Sequence, residues 1–129
     1  MWWGKTRRGH RGGTYPRDAA GVPRVRRQVR QALGGCDRLH DALVVASELA
    51  TIAVQDGSGD EYRVTVGHVD GHVLVEVGDG GGVGPGADGD RLGVAGCRMA
   101  LVAGLANEFG SRGTPGVRVL WARITCGHP

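Results

Sequence analysis

The sequence has little that would place this protein in a membrane, a disulfide-rich class or a zinc-finger class. None of its apolar runs reaches the roughly 18 residues that a transmembrane helix needs. No apolar stretch follows the basic N-terminal residues, so we expect no secretory signal. Cys36, Cys97 and Cys126 lie far apart without a Cys-x-x-Cys pair, which predicts packed thiols rather than a zinc site or a disulfide framework. A single cytoplasmic domain is therefore the expectation for 129 residues.

The five histidines are scattered as well. His68 and His72 flank a predicted tight turn at Asp70 and Gly71, and we interpret them as solvated hairpin residues rather than metal ligands. The sequence therefore predicts no metal site.

The basic charge is concentrated at the N-terminus. The net charge is +3, but residues 1–23 carry five basic residues against Asp18 alone, whereas the remainder holds 11 arginines and 12 acidic residues. Such a segment is typical of a disordered leader and binds nucleic acid or acidic surfaces only weakly. We expect residues 1–22 to form a basic, disordered tail and residues 23–126 to form the domain, with nucleic acid not an expected partner beyond that tail.

Hydrophobic periodicity predicts the elements of the domain. The predicted helices cover residues 24–33, 37–55 and 97–109. Asp37 is the expected N-cap of the second helix. Strands are predicted at residues 61–69, 72–77 and 117–124, and a long mobile loop at the glycine-rich residues 78–96. This order predicts an α+β fold, a two-layer sandwich of a mixed sheet with helices on one face.

Residues 47–57 form the most informative motif, Ser-Glu-Leu-Ala-Thr-Ile-Ala-Val-Gln-Asp-Gly. It resembles the pattern Ser-Glu-Leu-x-Thr-Asn-Ala-x-x-His-Gly of the anti-sigma-factor serine kinases, which are bacterial members of the gyrase/histidine-kinase ATPase superfamily. The resemblance implies that Glu48 is the catalytic base and that Thr51 lies at the nucleotide. Ile52 replaces the Asn that carries magnesium, and Asp56 replaces the His. Because an alkyl chain offers no oxygen ligand, the case for magnesium and for phosphoryl transfer is weakened.

A second motif occupies residues 75–83, where Asp79 and Gly81 match the family pattern Asp-x-Gly-x-Gly and Val83 replaces its last glycine. The resemblance implies that Asp79 accepts a hydrogen bond from the adenine amino group. Gly81 would let the backbone approach the base. The alternative is that Asp79 is a turn residue after a strand, which is common in proteins.

A third motif occupies residues 93–102, where Gly93 and Gly96 match a phosphate-binding pattern and Arg98 replaces its third glycine. Glycines at a helix start expose N–H groups to an anion. Two interpretations of Arg98 stay open: it fills the phosphate space, or its guanidinium binds phosphate directly.

The resemblance covers about residues 24–125 and implies a histidine-kinase-like ATPase fold. One expected function is an ATP-binding regulatory protein that resembles anti-sigma-factor serine/threonine kinases and acts in bacterial transcription control by partner switching. Its partner would be a sigma factor or an antagonist protein, and related kinases often form homodimers. The alternative is a catalytically inactive relic of that fold that acts only as a protein-binding module. The loss of the metal-binding Asn argues for weak or no kinase activity.

Overall fold

The computed structural model describes residues 11–80, 94–114 and 117–127, and these ranges form a sheet of five strands covered by three α-helices. In chain order the elements are β1 (Arg11–Pro16), α1 (Val22–Leu33), α2 (Leu39–Asp56), β2 (Glu61–Val69), β3 (His72–Gly78), α3 (Val94–Leu105), β4 (Glu108–Thr114) and β5 (Val117–Thr125). The α+β sandwich predicted from the sequence is confirmed. Within the described residues, no helix combines the length and the apolar character that crossing a membrane requires.

The sheet has the order β1-β2-β3-β5-β4, and all four pairings are antiparallel. The sequence predicts a mixed sheet. A helix that connected β3 directly to the next strand would make those two strands parallel, as a mixed sheet requires. The extra strand β4 reverses the chain before β5 enters the sheet, so β5 runs antiparallel to β3. The expected mixed character was therefore wrong, although the fold class was right.

Strand β4 begins at Glu108, within the last two residues of the predicted third helix, and the helix ends earlier, at Leu105. The backbone N–H of Asn107 donates to the carbonyl of Arg123 (2.8 Å), and the Asn107 side chain accepts from the N–H of Thr125 (2.6 Å). These bonds draw the chain alongside β5. The helical prediction for Phe109 failed because a tertiary pairing outweighed local apolar spacing.

The core lies between the helices and one face of the sheet. Helix α1 buries Val25, Val29 and Leu33, the stripe predicted from the sequence. Helix α2 packs against α1, α3 and β3, and its burial on a broad face reflects that central position. The sheet contributes alternate valines and Ile124 to the same core.

The predicted tail is partly folded. Strand β1 pairs with β2 over its whole length, and the hydroxyl of buried Tyr15 donates to Gln28 of α1. Arg17 donates to the carbonyls of Gly59 and Val54, each at 2.8 Å. The prediction of disorder is thus wrong for residues 11–22, because a prediction from charge composition cannot detect a strand that Tyr15 anchors. Residues 1–10 lie outside the described residues.

The turns settle two further predictions. Asp70 and Gly71 have φ values of 50° and 78°, so the tight hairpin turn is confirmed. Asp37 is not the cap of α2, whose N-cap is Arg38 without a side-chain capping bond. Asp37 instead accepts from the N–H of Gly127 at 3.2 Å, since the C-terminal end of β5 lies beside it.

Candidate functional site

Three elements meet at one end of the sheet. Asp79 follows β3, Arg118 is the second residue of β5, and Asp56 ends α2. Antiparallel pairing places Gly78 opposite Val119, so Asp79 and Arg118 lie side by side, and the N–H of Asp79 donates to the Arg118 carbonyl at 3.1 Å.

Arg118 joins the two carboxylates of this end. Its Nε donates to Asp79 Oδ1 at 3.0 Å, its second guanidinium nitrogen donates to Oδ2, and Nη1 donates to Asp56 Oδ2 at 3.2 Å. The Asp79 side chain is fully buried and that of Arg118 is 10% exposed. Burial lowers the pKa of Arg118, but the hydrogen bonds and charges of Asp79 and Asp56 outweigh it, so the pKa is raised. Arg118 therefore stays charged at every accessible pH.

Ser58, the residue directly after the first motif, binds the backbone of the second motif. The N–H of Ser58 donates to the Asp79 carbonyl at 3.0 Å, and its hydroxyl donates to the Gly80 carbonyl at 2.6 Å. A Cβ on Gly57 would lie 2.9 Å from the Asp79 carbonyl oxygen. This close approach requires a glycine at position 57. Gly57, which ends the first motif, therefore lets the backbone of the second motif pack against it.

Glu48, the predicted base, is engaged by Arg98. Nη1 of Arg98 donates to Glu48 Oε1 at 2.9 Å, and Nε donates to Gln55 Oε1 at 3.4 Å. Arg98 thus bridges two turns of α2 from α3. Before Glu48 could accept a proton from a hydroxyl, this ion pair would have to open. The Thr51 hydroxyl is also used within the helix, where it donates to the Ser47 carbonyl at 2.7 Å.

Ile52 is a core residue with 1% exposure. It lies one helical turn from Glu48, at the position where the resembled family has its magnesium ligand. Its side chain offers no oxygen, and the Glu48 carboxylate beside it is already paired with Arg98. The described residues therefore do not fit a magnesium ion at this position.

The remaining predicted site residues have different outcomes. Gly96 lies in the first turn of α3 rather than in a loop. Gly81 and Gly93 lie outside the described residues, so their roles and that of the glycine-rich loop stay predictions. The sequence interpretation missed Arg118. Its signals in the sequence were its place between two valines at the start of a predicted strand and the Asp at position 56 of the first motif, where the resembled family has His.

The same architecture occurs in a solved structure of Acinetobacter baumannii histidine kinase AdeS. The two match with a TM-score of 0.56 at 11% sequence identity, over 92% of this chain and 68% of that one. The chain has the histidine-kinase-like ATPase fold. No family model matches the sequence, and neither does any curated protein. At this identity the likeness shows the fold alone, so the nucleotide and partner assignments stay proposals.

A second cluster lies at the opposite end of the sheet, where β2, β5 and the α1–α2 connection meet. Cys36 and Cys126 are buried with their sulfurs 3.0 Å apart, and His68 Nε2 lies 3.7 Å from the Cys126 sulfur. Cys36 and Cys126 are packed free thiols as predicted, but their proximity was not expected from the sequence, and His68 is half-buried rather than solvated. Distance along the sequence says nothing about two segments that the sheet brings together.

Proposed function

We propose that this protein is an ATP-binding regulatory protein of the kinase-like fold, which controls transcription in bacteria by binding a protein partner rather than by efficient phosphoryl transfer. The observation that carries this proposal concerns the two positions that phosphoryl transfer would use, Glu48 and Ile52. Glu48 is bound by Arg98, and Ile52 is buried where a metal ligand would be needed. The motifs of a nucleotide site are retained in part, whereas these two positions lack what phosphoryl transfer needs.

Phosphoryl transfer depends almost entirely on positioning and on charge held at the phosphates. A metal ion usually supplies that charge, and no described oxygen at Ile52 would hold one. Arg98 offers a positive charge from α3, but that charge is partly neutralised by Glu48 at 2.9 Å. We therefore expect nucleotide binding without strong magnesium dependence and little or no kinase activity.

The partner proposed on the resemblance is a sigma factor or its antagonist. Helix α1 buries one stripe and leaves Arg27 and Arg30 exposed, whereas Arg26 is held by a bond to the Ser47 hydroxyl at 3.1 Å. An acidic patch on a partner would complement this face. The glycine-rich segment between Asp79 and α3 would act as the lid, as in the resembled kinases.

A second candidate function is a protein-binding module that takes no nucleotide. The observation that favours it is the bidentate pairing of buried Asp79 with Arg118. An adenine amino group would have to share or take over that carboxylate. Breaking a buried pair costs about 3–5 kcal/mol, which corresponds to about two to four orders of magnitude in affinity.

Calorimetric titration of ATP, with and without magnesium, separates the two. The wild type is expected to bind ATP with similar affinity in both conditions, and Ile52→Asn is expected to bind more tightly when magnesium is present. Ile52→Val is the matched control, since it keeps a core side chain and adds no ligand. Circular dichroism of each variant checks that it folds.

Other outcomes decide against the first candidate. Magnesium-dependent transfer of the γ-phosphate to a partner by the wild type would show that it is a working kinase. Absence of ATP binding in the wild type, with binding gained in Arg118→Met, would establish the nucleotide-free module. Absence of binding in every variant would have the same meaning.

A further inference from the structure

Three side chains with metal-ligating atoms converge at the end of the sheet remote from the proposed nucleotide site, and a carboxylate lies beside them. The ligand atoms of Cys36, His68 and Cys126 all lie within 4.8 Å of one another. A carboxylate oxygen of Asp37 lies 3.3 Å from the Cys126 sulfur and 4.0 Å from the Cys36 sulfur. Two thiols and an imidazole thus converge on one point, and the Asp37 carboxylate lies beside the two thiols.

These distances lie close to the edges of a tetrahedron around a small cation, with two of them requiring a small shift. With the usual zinc distances to sulfur, nitrogen and oxygen, the ligand atoms lie about 3.3–3.8 Å apart. The Cys126–His68 and Cys126–Asp37 separations, 3.7 and 3.3 Å, already fall in or near that range. The 3.0 Å between the sulfurs has to widen, and the 4.0 Å between the Cys36 sulfur and the Asp37 oxygen has to shorten, each by less than 1 Å.

The donor set selects the class of metal. Thiolate and imidazole ligands suit zinc and related transition metals, whereas magnesium and calcium require oxygen ligands. Binding would deprotonate both thiols, which release two protons to solvent, and the imidazole would bind through its neutral nitrogen. A divalent cation with two thiolates and one carboxylate leaves the site with a charge of −1.

The surroundings support a negative site. The backbone N–H of Arg38 donates to the Cys36 sulfur at 3.3 Å, and that of Gly127 donates to Asp37 at 3.2 Å. The Arg38 guanidinium is fixed nearby by bonds to Asp41 and to the Thr125 carbonyl. Such outer contacts orient ligands and stabilise their charged forms.

We propose that Cys36, Asp37, His68 and Cys126 form a structural zinc site. Cys36, His68 and Cys126 already lie together, and once Asp37 moves within reach of the same ion, four protein ligands would close the coordination sphere, which is typical of structural rather than catalytic zinc. The ion would tie the α1–α2 connection to the end of β5 and to β2. Strand pairing places His68 at the opposite end of the sheet from Asp79 and Arg118, so this proposal is independent of the proposed function.

The test is metal titration of the reduced full-length chain after chelator treatment. We expect one equivalent of zinc, bound in competition with a chromophoric chelator, and a melting temperature that rises with zinc concentration. Cobalt(II) is expected to give tetrahedral d–d bands and a thiolate charge-transfer band. His68→Ala and Asp37→Asn are expected to weaken binding by on the order of tenfold or more, and Cys126→Ser is expected to remove the charge-transfer intensity of one thiolate.

The chain offers two matched controls. Cys97 lies in α3, and His72 contacts the carbonyl of Asp70 at the same hairpin as His68. Cys97→Ser and His72→Ala are expected to bind zinc as the wild type does. Circular dichroism of the metal-free His68→Ala variant separates lost binding from lost folding.

Three results would overturn the proposal. Less than stoichiometric binding by the folded wild type would show that the cluster holds no metal. Equal binding by wild type and by both His68→Ala and Asp37→Asn would identify adventitious sites. The third result is a chain that, isolated without reductant, shows two fewer free thiols and a mass lower by two hydrogens. If that chain also binds no zinc after reduction, the two cysteines form a disulfide pair rather than a zinc site.

Discussion

The ion pairs of Arg118 provide a sharp test of the site, through the substitution Arg118→Met. Methionine keeps much of the side-chain length and removes the guanidinium. Asp79, whose side chain is fully buried, then loses a partner that donates two hydrogen bonds to it. Removing one member of a buried pair costs about 3–5 kcal/mol, a large part of the roughly 5–15 kcal/mol by which a domain is stable.

A double-mutant cycle checks the physical cause. In the wild-type background, Asp79→Asn is expected to destabilise the protein, because it weakens the pair. In the Arg118→Met background, the same change is expected to stabilise it, because it removes a buried charge that has lost its counter-ion. The sign of the Asp79→Asn effect should therefore reverse between the two backgrounds.

Urea unfolding, followed by circular dichroism, gives the free energies. Arg123→Met is the matched control, because Arg123 lies on the same strand and pairs with Glu108 at the surface, where the side chains are 44% and 56% exposed. That change is expected to cost no more than about 1 kcal/mol. If Arg118→Met costs as little as Arg123→Met, or if Asp79→Asn has the same sign in both backgrounds, the buried pair does not hold this end of the fold together.

Two further pairs of substitutions test the packing by the same measurement. Gly57→Ala is expected to lose about 1–3 kcal/mol, because its Cβ would lie 2.5 Å from a carbonyl oxygen of its own helix. Gly104→Ala, with nothing within 4 Å of the added Cβ, is expected to gain about 0.5–1 kcal/mol; equal effects would refute the clash. Tyr62→Phe is expected to gain about 1 kcal/mol, because the Tyr62 hydroxyl has no hydrogen-bond partner among the described residues. Tyr15→Phe, which loses a bond to Gln28, is expected to cost a similar amount, and a loss at Tyr62 would contradict this reasoning. Burial raises the pKa of Tyr62 to about 12, so the wild type should lose stability as pH rises from about 10 towards 12, and Tyr62→Phe should lose less.

Local patterns predicted the elements whose own residues favour them. The stripe of Val25, Val29 and Leu33 fixed α1, and the Asp70-Gly71 turn fixed the β2–β3 hairpin. Strands β1 and β4 escaped prediction for the opposite reason. Both contain glycine and arginine, and they are strands because β2 and β5 offer them backbone partners.

The candidate site residues show the same difference between what local sequence predicts and what tertiary packing decides. The motif in α2 predicted where a nucleotide would bind and indicated from residue type alone that Ile52 is no metal ligand. It did not show that Ile52 belongs to the core, nor that Arg98 would hold Glu48. Those facts depend on how α3 packs against α2.

The sequence by itself determined the periodicities, the tight turn and the order of the three motifs, because each of these depends on residues within a few positions of one another. Only the tertiary structure decided which charges and thiols meet. Arg118 reaches Asp79 and Asp56 across 39 and 62 positions, and Cys36 reaches Cys126 across 90. Contacts of that kind form when the sheet closes, because strand pairing and helix packing bring together segments whose spacing in the chain carries no local signal.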